Sequence, residues 1–142
     1  MQPVSFEEQV DQLVGRDPRY HREAYFFVRE GLDFTQKSLG KSQTDGERHV
    51  LPAELAQGLK AYALDRYGPL SKTVLNSWGI HVTQDLGDLV FNLIEVNVLA
   101  QSDRDKREDF ANLFEFDEAF VHPFLPPSKL KQLRDPETHP QS

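Results

Sequence analysis

The chain has 142 residues, and 16 basic against 23 acidic residues give it a formal net charge of −7. A chain of this length forms one domain around one ordinary hydrophobic core. Its 38% hydrophobic and 27% charged residues are typical of a globular protein, not of a disordered or membrane protein. The absence of cysteine excludes disulfides, thiolate metal sites and cysteine nucleophiles. The acidic balance argues against a general nucleic-acid binder, which needs a basic face to displace counterions from phosphate.

The N-terminal part of the chain predicts two helices. Ser5 and Glu8 have the spacing of a capping box, which indicates a short helix that ends near Gly15. Asp17 is a typical N-cap residue and indicates the start of a second helix, in which apolar or small residues recur with a 3.6-residue period. Gly40 is placed to end that second helix.

Residues 40–49 are polar and predict an exposed loop. Apolar residues at helical spacing then predict three more helices, at about residues 53–67, 69–78 and 83–97. Two short extended segments around a charged turn predict a β-hairpin at about residues 97–111. The expected fold class is therefore mainly α, a single small domain of five or six helices with one hairpin.

The helical domain is expected to cover residues 1–127. Residues 128–142 are polar and punctuated by proline, so this tail is expected to be disordered or loosely attached. The most apolar stretch, residues 89–100, is shorter than the roughly 20 residues that a membrane-spanning helix needs. Because the start of the chain is also polar, no membrane association is expected and the predicted compartment is the cytoplasm.

Several runs of residues resemble a small family of bacterial proteins of unknown function that is restricted to planctomycetes and verrucomicrobia. The runs lie within residues 5–125, at 21–28, 48–50, 67–70, 74–79, 91–93, 108–110 and 116–120. The resemblance implies one domain that ends before the tail. It implies no activity, because no chemistry is assigned to the family.

Residues 50–111 resemble a winged-helix domain, with a tight turn at Gly79 between the second and third helices. The register departs from the compact motif, because the position six residues after the glycine is Asp85 instead of an apolar residue. A DNA-binding role needs basic or amide side chains on the third helix. That helix, 83–97, carries three acidic residues and no Lys or Arg, so the sequence argues against nucleic-acid binding.

No motif for catalysis or metal binding is present in the sequence. The histidines do not recur at i, i+4, and neither a glycine-rich phosphate loop nor a Gly-x-Ser-x-Gly nucleophile motif occurs. A site assembled from histidines that are distant in sequence stays open as an alternative, and its candidates are His21, His49, His81 and His122. No cofactor, metal or small-molecule ligand is expected.

Residues 108–124 hold five of the ten phenylalanines of the chain, together with several acidic residues. The simplest interpretation is that these rings cover the helical core. The alternative is that part of the stripe stays exposed and binds a protein partner or a second copy of the chain. The candidate partner-binding residues are Phe110, Phe114, Phe116, Phe120 and Phe124.

The residues favour a non-enzymatic protein-interaction or assembly domain over an enzyme. Two alternatives remain open: a winged-helix regulator that binds nucleic acid with a partner, and an enzyme or metal protein whose site the sequence does not reveal. A contiguous basic face would favour the first alternative, and charges that converge on a pocket would favour the second.

Overall fold

Helices make up most of the chain that a computed structural model describes, which is residues 5–40, 50–96, 98–99 and 106–134. They are α1 (Phe6–Arg16), α2 (Arg22–Ser38), α3 (Pro52–Tyr67), α4 (Ser71–Ser77), α5 (Thr83–Glu95), α6 (Phe116–Phe120) and α7 (Pro127–Arg134). Short 3₁₀ helices lie at Gly68–Leu70, Arg107–Phe110 and His122–Phe124. The described residues contain no β-strand, so the mainly helical class is confirmed.

The predicted capping box at the start of α1 is present. The Ser5 hydroxyl accepts a hydrogen bond from the Glu8 amide at 3.1 Å, and the Glu8 carboxylate accepts one from the Ser5 amide at 3.0 Å. The second helix begins later than predicted, since His21 and not Asp17 is the N-cap of α2. The His21 ring accepts from the Glu23 amide at 3.0 Å, whereas Asp17 pairs with an arginine in the loop before α2.

Helices α2 and α3 pack antiparallel and close together because each presents a glycine to the other. A Cβ on Gly58 would overlap the side chain of Thr35, and a Cβ on Gly31 would overlap Leu59. Thr35 is buried, and its hydroxyl donates to the carbonyl of Gly31 at 2.7 Å. The α2–α3 pair therefore forms one side of the domain, on which α1 and α5 pack.

Helix α5 lies at the centre of the domain and is buried on almost every side. Its apolar side chains meet those of the other helices in one core, whose most deeply buried members include Val10, Leu13, Tyr25, Val28, Leu59, Leu75, Ile80, Leu89 and Leu93. Asp88 and Asn92 of the same helix are also buried, at 8% and 6% exposure. A central helix that buries polar side chains needs partners for them.

The hairpin predicted at residues 97–111 is not present in the described part of that segment. Its expected second arm forms the 3₁₀ helix Arg107–Phe110, which packs on α5, and much of its first arm lies outside the described residues. The close packing depends on Gly87, where a Cβ would lie 2.7 Å from the Phe110 Cβ. In the described residues, this segment therefore follows the surface of α5 as a single helical turn.

Two further predictions concern the loop and the tail. Residues 41–49 of the predicted loop lie outside the described residues, as do residues 135–142 of the tail. The tail begins with α7, whose described side chains are exposed except for the half-buried Leu130. Its loose attachment stays a prediction. None of the helices in the described ranges has the length and apolar character to cross a membrane.

Candidate functional site

The five predicted partner-binding phenylalanines lie in different environments. Phe110, Phe116 and Phe120 are buried, with 2%, 7% and 2% of their surface exposed. Phe114 is half-buried, and Phe124 is 45% exposed. Three of the rings therefore complete the core, and two reach the surface.

The structure brings three of these rings together. Phe114 stacks on Phe116 with ring centroids 5.9 Å apart, and Phe120 meets Phe116 edge-to-face at 5.0 Å. Phe110 packs separately, against Gly87 of α5. The cluster of Phe114, Phe116 and Phe120 therefore anchors residues 111–120 to the core, with the half-buried Phe114 at its outer edge.

An open groove of about 680 Å3 lies beside this cluster, between α4, the start of α5 and residues 111–118. Its apolar lining includes Phe114, Phe116 and Val82. Val82 is the N-cap residue of α5 and is 54% exposed. We call this feature the Val82 groove. It combines a surface-exposed valine with the accessible part of the phenylalanine cluster.

Acidic side chains line the same groove. Glu115, Asp117 and Glu118 are all exposed. Asp117 pairs with Lys72 of α4 at 2.6 Å, so its charge is compensated. Within the described part of the chain, the carboxylates of Glu115 and Glu118 have no ion-pair or hydrogen-bond partner. The rim therefore carries two uncompensated negative charges.

The exposed valine is held in place by its neighbours. The Asp85 carboxylate accepts hydrogen bonds from the backbone amides of His81 at 2.8 Å and of Val82 at 3.1 Å. The buried hydroxyl of Thr83 donates to the Phe110 carbonyl at 2.5 Å and accepts from the Leu113 amide at 3.1 Å. These bonds tie the turn before α5 and the segment between Phe110 and Leu113 to the start of α5.

A second polar cluster, which we call the Asp88 network, lies further along α5. The Asp88 carboxylate accepts hydrogen bonds from Arg107 at 3.1 Å and from Arg19 at 3.3 Å. The single hydroxyl proton of Tyr20 lies between two carboxylates, with Asp85 at 2.6 Å and Asp88 at 3.2 Å from the hydroxyl oxygen. The network therefore joins the loop before α2 and the 3₁₀ helix Arg107–Phe110 to the central helix.

The Asp88 network extends along one stripe of α5. The Asn92 amide donates to Asp17 and to the Tyr25 hydroxyl, both at 3.0 Å. Glu95, one turn further, pairs with Arg16 at 2.7 Å and with Arg107 at 3.4 Å. Every carboxylate of the network thus faces a cation or a hydrogen-bond donor.

The pKa shifts in the network follow from these contacts. Hydrogen bonds from Arg19 hold the pKa of Asp17 well below its usual range, and the same pair raises the pKa of Arg19. Burial raises the pKa of Tyr20, and the adjacent carboxylates of Asp85 and Asp88 raise it further. Burial also raises the pKa of Tyr25. Both tyrosines are therefore neutral at neutral pH, and the Asp17–Arg19 pair is charged.

The three histidines that the structure describes do not converge on a site. His21 caps α2, His81 is exposed at the Val82 groove and His122 is half-buried after α6, whereas His49 lies outside the described residues. The described residues contain no group of three or more histidine and acidic side chains that could hold a metal ion. The structure therefore gives the histidine alternative no assembled site within the described ranges.

Two features of the site were not predicted from the sequence. Nothing in the sequence marks Val82 as exposed, because valine at a helix start is unremarkable. The Asp88 network does leave a signal: Asp85, Asp88, Asn92 and Glu95 recur at helical spacing on an otherwise apolar helix. That spacing indicates a polar stripe, but it does not identify the arginines and tyrosines that satisfy it.

The chain matches no protein-family model, no curated protein and no solved structure. The resemblance to a planctomycete and verrucomicrobial family therefore stays a prediction. What the protein does has to be inferred from its own side chains and their contacts.

Proposed function

We propose that this chain is a non-enzymatic protein-interaction domain that binds a partner at the Val82 groove. The observation that carries the proposal is the placement of Val82, which is 54% exposed although hydrogen bonds of its own amide and of its neighbours fix the backbone. Solvent exposure of an apolar side chain next to the half-buried Phe114 leaves apolar surface that a partner would cover. Binding there would need little reorganisation of the domain.

The form of the groove favours a peptide segment over a small molecule. Small-molecule sites enclose most of the ligand surface and converge several polar groups on it. The Val82 groove is open to solvent, and its acidic residues lie on the exposed rim. An extended or helical segment of another protein fits such a surface by placing one or two apolar side chains in it.

The alternatives have less support than this proposal. A winged-helix regulator would need an exposed recognition helix, whereas α5 is buried on almost every side. An enzyme would need a reactive group left free to meet a substrate, and the carboxylates of the Asp88 network are all paired. We also propose, as the sequence predicts, that the protein is located in the cytoplasm and that it resembles the bacterial family of unknown function.

Selection of binding peptides on the 142-residue chain tests the proposal. Peptides of about twelve residues are selected from a random display library, and their dissociation constants are measured with the unmodified chain, Val82→Ser and Leu39→Ser. Leu39 is the matched control, because it is 44% exposed and lies outside the groove. We expect binders that Val82→Ser weakens at least about tenfold and Leu39→Ser leaves unchanged. Selection of no binder, or only of binders insensitive to Val82→Ser, would contradict the proposal.

A further inference from the structure

Resting on the proposed function, we infer that the partner is a protein with a basic segment, in which an apolar side chain is flanked by Lys or Arg. The inference combines two properties of the Val82 groove. Val82 and Phe114 offer apolar surface for one side chain of the partner. Glu115 and Glu118 on the rim offer carboxylates that form no ion pair within the described part of the chain. The Lys60 ammonium lies nearby, 5.4 Å from the centre of the Phe114 ring, but pairs with neither of them.

The charges of the rim select the sign of the partner. Lys72 compensates Asp117, and no cation does the same for Glu115 or Glu118 in the described ranges. A Lys or Arg of the partner would supply the missing positive charge at the edge of an apolar contact, where water is displaced and the attraction is strongest. An acidic or phosphorylated segment would add a third uncompensated charge and be repelled.

The same charges argue against a second copy of the chain as the occupant. A two-fold symmetric contact places each patch on its own counterpart, so Glu115 and Glu118 of one copy would face those of the other. Each copy also carries a formal net charge of −7. A heterologous partner with a basic segment has neither penalty.

Three matched peptides test the inference. Each is about ten residues long with one central leucine, and the flanking residues are lysine in the first, glutamine in the second and glutamate in the third. Dissociation constants are measured at about 0.05 M and 0.5 M salt, because screening weakens a charge-dependent contact. We expect the lysine peptide to bind at least about tenfold more tightly than the glutamine peptide at low salt, and the glutamate peptide to bind weakest.

Charge reversal shows whether the preference comes from the groove. The double variant Glu115→Lys/Glu118→Lys is compared with Glu7→Lys/Asp65→Lys, which changes the net charge equally at two exposed acids outside the groove. We expect the groove variant to lose the lysine preference and to favour the glutamate peptide. The control variant keeps the original order, and thermal melts confirm that both variants fold.

The remaining outcomes each overturn the inference in a distinguishable way. Equal effects of the two double variants would show that long-range charge, not the groove, sets the preference. Selected peptides that compete at Val82 but lack Lys and Arg would refute the basic partner and leave the interaction domain standing. A dimer in solution that Val82→Ser dissociates would replace the basic partner with a second copy. Absence of any binding sensitive to Val82→Ser would refute the interaction domain itself.

Discussion

The Asp88 network and the Val82 groove both place acidic residues along α5 or beside its start. Only the groove leaves two of its acidic residues unpaired in the described part of the chain. Asp88 is shared by Arg19, Arg107 and Tyr20, and its side chain is 12% exposed. Glu115 and Glu118 are exposed and have no partner in the described ranges. The difference separates two roles of a charged group: a paired, partly buried carboxylate holds the fold together, whereas an unpaired exposed one is free to meet another molecule.

The two regions are joined by one residue. One oxygen of the Asp85 carboxylate accepts from Tyr20 of the network, and the other accepts from the amides of His81 and Val82 at the groove. Tyr20 of the Asp88 network therefore helps to hold the Asp85 carboxylate, which in turn fixes the backbone before α5. A stable network is a condition for a preformed groove.

Removal of the central carboxylate is expected to have the largest effect. Asp88→Ala removes the acceptor that Arg19, Arg107 and Tyr20 share. Each of the three keeps a second partner, which is Asp17, Glu95 and Asp85 respectively. We expect the variant to lower the free energy of unfolding by about 3 kcal/mol. This is the lower end for a broken buried ion pair, because Arg19 is 57% exposed and can return to water. Urea unfolding measures the change. Glu118→Ala is the control in the groove, and equal losses for the two variants would erase the distinction between the regions.

The second-largest effect is expected at alkaline pH, which should weaken the Asp88 network. Because the folded-state pKa of Tyr20 lies above the ordinary value of 10.0, the folded state retains the proton that the unfolded state loses. The stability that protonated Tyr20 contributes is complete below pH 10. As the pH rises further, the free energy of unfolding falls by about 1.4 kcal/mol per pH unit. Tyr20→Phe should lose about 1–2 kcal/mol at pH 7 from the missing hydrogen bonds.

The pH dependence of unfolding in Tyr20→Phe and in the unmodified chain distinguishes the titration of Tyr20 from that of the other tyrosines. Urea unfolding at pH 8, 10 and 11 should show a shallower alkaline decline in the variant. Some decline should persist, because burial also raises the pKa of Tyr25 and of Tyr62. Parallel declines for the two proteins would show that Tyr20 does not titrate as the structure requires.

Replacement of the exposed valine is expected to stabilise the fold slightly. Val82 has the extended backbone of an N-cap but no side chain that can accept a hydrogen bond. Val82→Ser should therefore raise the free energy of unfolding by about 0.5–1 kcal/mol. A thermal melt measures the gain, and Val82→Ala should not show it. A loss of stability in the serine variant would mean that Val82 is a packing residue, and the groove would lose its main support.

The smallest effect is expected at the rim of the groove. Glu115→Gln/Glu118→Gln should change the free energy of unfolding by less than about 0.5 kcal/mol, because neither carboxylate has a partner to lose among the residues that the structure describes. Glu95→Gln, which loses the contacts to Arg16 and Arg107, should cost slightly more, about 0.5–1 kcal/mol. Urea unfolding of both variants provides the comparison. A larger loss at the rim would indicate that these acids already stabilise the domain.

Much of the helical structure could be predicted because its signals are local. The capping box of Ser5 and Glu8 and the helix end before Gly40 both depend on residues within one or two turns of each other. The start of α2 was placed too early because Asp17 has the side chain of an N-cap. The structure uses Asp17 for Arg19 and Asn92 instead, the second of which is far away in the sequence.

The phenylalanine-rich segment at the candidate site also depends on contacts between residues that are distant in the sequence. Its composition indicated both a core cover and a binding surface, and the rings turn out to be divided between the two environments. The division depends on Gly87, which lets Phe110 approach α5, and on Thr83, which holds the chain between Phe110 and Leu113. Neither contact follows from periodicity.

The sequence by itself determined a mainly helical chain without cysteine chemistry, since composition, helical period and capping act within a few residues. Tertiary structure decided which charges are paired and which apolar side chains stay in solvent. Arg19, Asp88 and Arg107 meet only when three separate segments pack together, and Val82 is exposed because Asp85 and Thr83 direct its backbone. Pairing and exposure are properties of distances between segments, and a pattern of residue types along one segment does not contain those distances.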